Sequence, residues 1–378
     1  MASAPQSVTF VTCEFPPFPG GIATYSGALV DVLRGRGHAT DVIAPDYETP
    51  PDAAPDVPGT HRLLGHHKIV PANLPKITKL LRSSPPDAIL ICADIRSAML
   101  TYLLSPLHRR RYRIGIHGSE VSKLSGSSPL IYLARRAYDN AEMIAANSKD
   151  TLDVFVEETG YRGRAVVAHL GTDPQWFEPA SGPFEHPELA ALSSNRLIFC
   201  CVGRVERRKG QVNAVKALAK ARDAHGLAAP ILVIAGHIED PDYAAEVTEA
   251  AREAGLDLIV TGRLSLDDIK RLYARAICNI LLAENVPGRR EGFGLVLVEA
   301  AALGCPSIAS DVGGIPEALG ETGAKVPAGD IEAAARAASR FAADDHYRAG
   351  AADAAREHAR AFSWVACAAA TFPELRLE

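Results

Sequence analysis

Strands and helices alternate along both halves of this 378-residue chain, which predicts an α/β protein of two Rossmann-like, doubly wound parallel-sheet domains. Two further observations support that class. The first strand of each half, Ser7–Cys13 and the strand that begins at Leu197, runs into a glycine-bearing turn and then a helix. Between the halves, Glu178–Ser194 is rich in Pro, Ser and Glu and reads as a link. The expected domains are therefore 1–180 and 181–361, with 362–378 opening a last helix at Phe362-Ser363-Trp364.

At this length each half can bury its own core. A composition of 47% hydrophobic and 22% charged residues is ordinary for a globular α/β chain. The net charge of −5 gives no reason to expect a nucleic-acid partner. It is also uneven: residues 1–180 hold 18 Lys and Arg against 18 Asp and Glu, so the whole deficit lies beyond them. The seven cysteines form no C-x-x-C pair and read as buried thiols of a reducing cytoplasm rather than as disulfides or zinc ligands. No stretch is long and apolar enough to span a bilayer, and Met1–Pro5 lacks signal-peptide character.

In the first half, the turn Glu14-Phe-Pro-Pro-Phe-Pro-Gly20-Gly21 leads into a helix from about Ile22 to Gly35. It is neither a G-x-G-x-x-G fingerprint nor a G-K-[ST] loop, so dinucleotide and ATP readings both weaken; a tight strand-to-helix turn and a phosphate loop remain open. Next come a strand over Ala39–Ala44, a Pro-rich loop over Thr49–Gly59, helix Pro75–Arg82, strand Asp87–Ala93 and helix Ile95–Leu104. The basic run His108–Arg113, before strand Arg113–His117 and Gly118-Ser119-Glu120, could touch anionic lipid but more usually such a run is a solvated loop. Strand Met143–Ala146, helix Thr151–Glu158 and strand Ala165–Ala168 complete the half. Sites in such sheets lie at the carboxyl ends of the strands.

In the second half, Arg204 and Lys209 stand five apart across the turn after the first strand. There an arginine fork and a lysine point charge can converge on a pyrophosphate; Arg204 and Lys209 can equally be surface charges, and Arg207 and Arg208 beside them are equally good candidates by charge. Strand Ile231–Gly236, helix Ala244–Ala254, strand Leu258–Thr261, helix Leu266–Arg275 and strand Ile277–Ala283 follow. Then Glu291 and Glu299 stand eight apart around Gly292-Phe293-Gly294 and a helix over Leu295–Leu303. That helix opens at Gly294-Leu295, where unpaired N–H groups and the helix dipole make a candidate phosphate cradle. Strand Ser307–Ala309 and helices Asp330–Ala343 and His346–Ala361 come after it. The one D-x-D, Asp240-Pro-Asp242, stands just ahead of a helix and reads as its cap, so no metal site is expected.

The chain from about Ser7 onward resembles the family-4 retaining glycosyltransferases of GT-B fold, on at least five motifs in family order. These are the P-x-x-G-G…Y loop, His117-Gly118, the turn His169–Pro174, the G-R-x4-K-G run at Arg204 and Lys209, and the E-x7-E pair Glu291 and Glu299. The resemblance implies two domains facing across a cleft, acceptor in the first and nucleotide sugar in the second, with the last helix returning to the first. It implies that Arg204, Lys209, Gly294, Leu295 and Gly21 hold the donor diphosphate, Glu299 the ribose, and the turn Gly262-Arg263 the base. Glu291 and His117 would face the transferred sugar, and Gly20, Glu14 and Tyr25 would lie by the acceptor. The chain departs from the common S-x-x-E-G-F-G form, carrying Arg289 and Arg290 before Glu291.

The expected activity is transfer of a hexose or N-acetylhexosamine from a UDP- or GDP-sugar to a hydroxyl of a small acceptor, without metal. Acids at first-half strand ends (Glu14, Asp46, Glu48, Asp94 and Glu120) suggest an amine-bearing polyol such as an aminocyclitol or amino sugar. The neutral first half disfavours membrane contact. A lipid-linked or polysaccharide acceptor, a UDP-sugar epimerase on the same fold, and a non-catalytic sugar-nucleotide binder are the alternatives.

Overall fold

The computed structural model describes residues 6–18, 20–47, 58–65, 68–118, 120, 121, 124 and 128–377. Glu48, Ser119 and most of the loop 49–59 lie outside the described residues. The chain forms two compact units, Met1–Gly171 with Ser363–Glu378, and Thr172–Phe362.

The first unit opens with β1 (Ser7–Val11), α1 (Gly21–Gly35), β2 (Ala39–Asp46), β3 (Thr60–Gly65), α2 (Leu74–Ser83) and β4 (Ile89–Cys92). It continues with α3 (Ile95–His108), β5 (Arg113–Ile116), α4 (Pro129–Asp139), β6 (Met143–Ala146), α5 (Lys149–Thr159) and β7 (Ala165–Val167). The seven strands are parallel in the order β3-β2-β1-β4-β5-β6-β7. Strand order therefore reverses at β1, where Val11 pairs with Ile43 on one side and Cys92 on the other. The loops after β1 and β4 leave from that switch point, where such sheets hold their ligands.

Two elements of this unit escape the sequence pattern. Strand β3 is an edge that pairs only with β2, and four of its six residues are only half-buried, so it carries no apolar run. Helix α4 buries Ala134, Ala137 and Tyr138 but exposes Leu130 and Tyr132, which blurs its apolar stripe.

The second unit contains α6 (Pro187–Ala190), β8 (Leu197–Val202), α7 (Gln211–His225), β9 (Pro230–Ala235), α8 (Pro241–Ala254), β10 (Asp257–Gly262) and α9 (Leu266–Arg275). Then come β11 (Cys278–Leu281), α10 (Leu295–Ala302), β12 (Ser307–Ser310), α11 (Ile315–Leu319), β13 (Ala324–Val326), α12 (Ile331–Ala343) and α13 (Asp345–Ala359). Its six parallel strands run β10-β9-β8-β11-β12-β13, reversing at β8. Strand β9 is buried along its whole length, and the helices α7, α8 and α12 contribute Val215, Leu218, Val247 and Phe341 to the core around it. Such a both-faces-covered strand needs an unbroken apolar sequence, and Pro-Ile-Leu-Val-Ile-Ala supplies it. Each fully buried Leu, Ile or Phe contributes roughly 2 kcal/mol at most.

The stretch read as a link is part of this unit. Asp268, in the first turn of α9, accepts the backbone N–H groups of Glu185 and His186 at 2.9 Å each, and Leu189 is buried. Its polar composition reflects a surface course, and the unit it belongs to begins at Thr172.

The last helix, α14 (Trp364–Thr371), belongs to the first unit. Buried Arg113, the first residue of β5, donates to the Thr371 carbonyl at 2.9 Å and pairs with Glu374 at 2.7 Å. Phe372 lies edge-on to Phe10 of β1, their centroids 6.2 Å apart. At the chain crossing, a Cβ on Gly171 would come within 2.2 Å of the Ser363 backbone, so no larger residue fits there. All seven cysteines are buried and unpaired.

Candidate active site

In the second unit the turn after β8 and the loop before α10 converge on Glu291. Lys209 donates from Nζ to its Oε2 at 2.7 Å, and Arg208 donates from Nη1 to the same oxygen. Arg208 also reaches Glu206 at 2.7 Å, and Arg289 reaches the second Glu206 oxygen at 3.1 Å. Arg204 lies 3.2 Å from Glu206 with half of its side chain exposed. Six residues, Arg204, Glu206, Arg208, Lys209, Arg289 and Glu291, are thus drawn into one alternating network of cations and carboxylates.

The electrostatics follow from burial against charge. Glu291 is 8% exposed, which by itself would raise its pKa; the charges of Lys209 and Arg208 outweigh this and hold the carboxyl at about 2. Burial is the largest influence on Lys209 as well and lowers its pKa, with Glu291 opposing. For Arg208 burial acts downward too, but the carboxylates of Glu291 and Glu206 win and raise it.

The five-residue spacing favours Arg204 and Lys209 in the sequence, but of the alternatives beside them it is Arg208 that joins Lys209 on Glu291, and Glu206 is a partner that the spacing does not mark. The adjacent Arg207 turns away, pairing with Glu246 and lying over the Tyr243 ring at 4.9 Å. Residues 207–209 form a single 3-10 turn, which points neighbouring cations in different directions. Nothing in the linear spacing distinguishes them.

Helix α10 begins after Gly294, whose φ of +83° belongs to the left-handed region that glycine adopts without strain. The loop carrying Glu291 lies on the next glycine pair: Gly314 donates its N–H to the Glu291 carbonyl at 3.0 Å, and a Cβ on Gly314 would meet the Gly292 oxygen at 2.1 Å. Those glycines let the loop seat closely enough to fix Glu291. The amides of Leu295 and Val296 open the helix with partial positive charge.

Glu299, inside α10, behaves oppositely to Glu291. Burial, then the nearby Asp173 charge, raises its carboxyl to about 7, with Lys209 only partly offsetting them. Gly262 ends β10 with a left-handed φ of +68° and open space where a Cβ would stand, and Arg263 beside it is exposed. Asp240 caps α8, accepting the Tyr243 N–H at 3.0 Å. Among the described residues no group of three His, Cys, Asp or Glu side chains could hold a metal ion.

In the first unit, Gly20 and Gly21 begin α1 with no side-chain cap, and Gly21 has open space around its α-carbon. Glu14 approaches this turn: a Cβ on Gly20 would stand 2.8 Å from its Oε2. His117, half-buried after β5, is anchored by Nε2 to the Ala93 carbonyl at 2.9 Å.

Three expected acceptor residues serve other purposes. Asp94 is 6% exposed; its Oδ1 caps α3 through Arg96 and Ser97 at 2.9 Å each, and its Oδ2 takes the Cys13 N–H at 2.7 Å. Glu120 accepts the backbone N–H of His117. Tyr25 is a core residue at 2% exposure, edge-on to the His117 ring at 4.7 Å. It supports the histidine from beneath, because helical periodicity turns that face of α1 inward.

Two parallel sheets, each with a strand-order reversal, define a two-domain α/β protein of the GT-B fold. The description "Glycosyltransferase Family 4" matches residues 19–176, and "Glycosyl transferases group 1" matches residues 185–358. Together they span most of the chain, which belongs to the family-4 glycosyltransferases.

Among characterised relatives, the chain is similar to the GDP-mannose-dependent alpha-(1-6)-phosphatidylinositol monomannoside mannosyltransferase of Mycobacterium tuberculosis. The two are 27% identical over 352 residues, 89% of each chain. It is also 30% identical to the D-inositol 3-phosphate glycosyltransferase of Streptomyces avermitilis over 241 residues, 61% of this chain and 51% of that one. Among solved structures, sucrose-phosphate synthase from Thermosynechococcus elongatus superposes with a TM-score of 0.77 at 23% identity, covering 98% of both. Anabaena HepE in complex with UDP and glucose gives 0.73 at 18% identity, covering 98% of this chain and 99% of that one. The structural likenesses establish the fold. Among the described residues no helix is long and apolar enough to cross a membrane.

Proposed function

We propose that this enzyme transfers a hexose or N-acetylhexosamine from a UDP- or GDP-sugar to a hydroxyl of a cyclitol-bearing acceptor, with retention and without a metal. The observation that carries the reading is the buried Glu291 held between Lys209 and Arg208 at the start of α10. When the anomeric carbon–oxygen bond breaks, negative charge grows on the departing diphosphate and oxocarbenium character on the sugar. Lys209, Arg204 and the first α10 amides are suited to the diphosphate; donors preset at growing charge lower the barrier without reorganisation. Glu291, at about 2, carries no proton near neutrality. It therefore acts as a fixed negative charge that orients the sugar and supports its developing positive charge, not as a general acid. Glu299 takes the ribose hydroxyls, the Gly262-Arg263 turn the base, and His117 a sugar hydroxyl.

The acceptor assignment draws on relatives named for phosphatidylinositol mannoside and inositol phosphate substrates. A requirement for an ammonium group is not carried forward, because the Asp94 and Glu120 carboxylates already serve backbone amides. The test is acceptor profiling with inositol phosphate, phosphatidylinositol, an aminocyclitol and a plain hexose, each with UDP- and GDP-sugars, reading the product's anomeric configuration by NMR. Transfer to an inositol-bearing acceptor with the donor's configuration kept supports the reading. Conversion of the donor sugar without acceptor would establish an epimerase instead.

A further inference from the structure

A concentration of positive charge in the first unit lies at the end of the sheet opposite the carboxyl ends of its strands. A cavity of about 720 Å³ opens at the amino ends of the strands, touching Gln6 before β1, Ile89 of β4, Arg113 of β5, Glu142 before β6 and Arg164 before β7. The glycine turn, Asp94 and His117 all follow carboxyl ends, so the strands themselves, roughly 13 Å for four residues, separate the two regions.

Six arginines line the cavity: Arg82, Arg109, Arg110, Arg111, Arg113 and Arg164. Three carboxylates, Asp87, Glu142 and Glu374, oppose them, which leaves an excess of three positive charges. Among the described residues those carboxylates form ion pairs only with Arg113, Glu374 at 2.7 Å and Glu142 at 3.6 Å. The other five guanidinium groups form no ion pair among the described residues.

Two buried donors strengthen the case. Arg113 is 4% exposed, and its Nε has no hydrogen-bond partner among the described residues. Arg110 donates one Nη to the Ala88 carbonyl while its other Nη, also buried, has no partner among the described residues. A buried unpaired donor costs about 1–3 kcal/mol, more for a charged group, so a site that leaves two of them beside converging arginines is suited to an anion. Planar guanidinium forks match phosphate oxygens in pairs, which makes phosphate the best-fitting chemistry.

We infer that this basal cavity binds a phosphate-bearing anion, a diphosphate or bisphosphate by its charge, at a site separate from the donor and acceptor sites. The phosphate is carried either by a small soluble molecule or by a lipid headgroup at a membrane surface. Occupancy pairs the free guanidinium groups and ties the Arg109–Arg113 turn to the loop before β7.

The test uses the full chain carrying Arg204→Ala and Lys209→Ala, so that the donor cradle does not contribute. Calorimetric titration with inorganic pyrophosphate is set beside sedimentation with phosphatidylglycerol and phosphatidylcholine vesicles. Arg111→Glu with Arg164→Glu, both exposed positions, is then added; the neutral pair Arg111→Gln with Arg164→Gln serves if reversed charge lowers the Tm. Saturable pyrophosphate binding that weakens at least tenfold in the variants identifies a soluble ligand. Sedimentation with phosphatidylglycerol alone, lost in the variants, identifies a lipid headgroup. Binding that is absent in both arms, or unchanged by the substitutions, overturns the inference.

Discussion

Replacing Glu299 with Gln should stabilise the free protein and weaken nucleotide binding at the same time. The carboxyl's pKa is raised from 4.5 to about 7, first by burial and then by Asp173. A group whose folded pKa lies above its unfolded value favours the fold when protonated, so its ionisation costs stability as pH rises from about 4.5 through 7. The shift corresponds to at most roughly 3 kcal/mol at pH 8, an upper limit because Glu299 retains some exposure and solvent screens it. Glutamine removes that cost. The variant should therefore have a higher Tm than the parent at pH 8 and nearly the same Tm at pH 5. Nucleotide affinity should behave in the opposite sense. In the proposed role of Glu299, ribose hydroxyls donate to the ionised carboxylate, so only the ionised fraction should bind well. With a pKa of about 7, that fraction and the affinity fall about tenfold between pH 8 and pH 6. The assay is calorimetry with UDP and GDP at pH 6, 7 and 8, with differential scanning fluorimetry of the free protein. The nucleotide's own phosphate titrates in this range, so the comparison between parent and variant isolates Glu299. An identical pH dependence in both proteins, or a variant less stable than the parent at pH 8, would refute the reasoning.

Arg204→Ala and Lys209→Ala should each lower turnover by roughly 10²–10³-fold, the scale of a lost oxyanion donor, measured at saturating donor; near-normal turnover in both would remove them from the diphosphate. Glu291→Gln should abolish transfer while nucleoside diphosphate still binds, because Lys209 and Arg208 lose their internal competitor; calorimetry showing loss of the diphosphate would count against the sugar-facing role. The same substitution strips the partner from two buried cations and should cost about 3–5 kcal/mol of stability near neutrality. Since the Glu291 pKa is depressed, that contribution is present above pH 4.5, fades as pH falls toward 2, and the stability difference from the parent should shrink in acid. Activity should survive EDTA; loss restored by manganese would show a metal bridging the donor phosphates. Tyr25→Phe should leave activity within a few-fold, since its hydroxyl lies in the core at 2% exposure; a large loss would return Tyr25 to the acceptor site.

What the sequence revealed was whatever is local. Strand–helix alternation and glycine turns are fixed by neighbours along the chain, so the strands around β1, β8 and β9 and the start of α10 could be read directly. So could the seven apolar cysteines and the Asp240 cap. What it concealed depends on the third dimension. The stretch 178–194 looked like a spacer because its composition is polar, yet Asp268, over eighty residues away, secures its backbone. Asp94 reads in the sequence as an acceptor-side acid, yet the Cys13 N–H and the first amides of α3 occupy both of its oxygens. Arg208 was hidden among four neighbouring cations, since a 3-10 turn, not spacing, aims it at Glu291.

The central claim is that the second unit grips a nucleoside diphosphate through Arg204 and Lys209. Its most direct test is titration of UDP and GDP, followed by calorimetry, into the parent and into the double variant Arg204→Ala with Lys209→Ala. The account predicts saturable binding of one of these nucleotides to the parent, and an affinity at least tenfold weaker in a variant that still unfolds cooperatively. Equal affinity in the two proteins would contradict it.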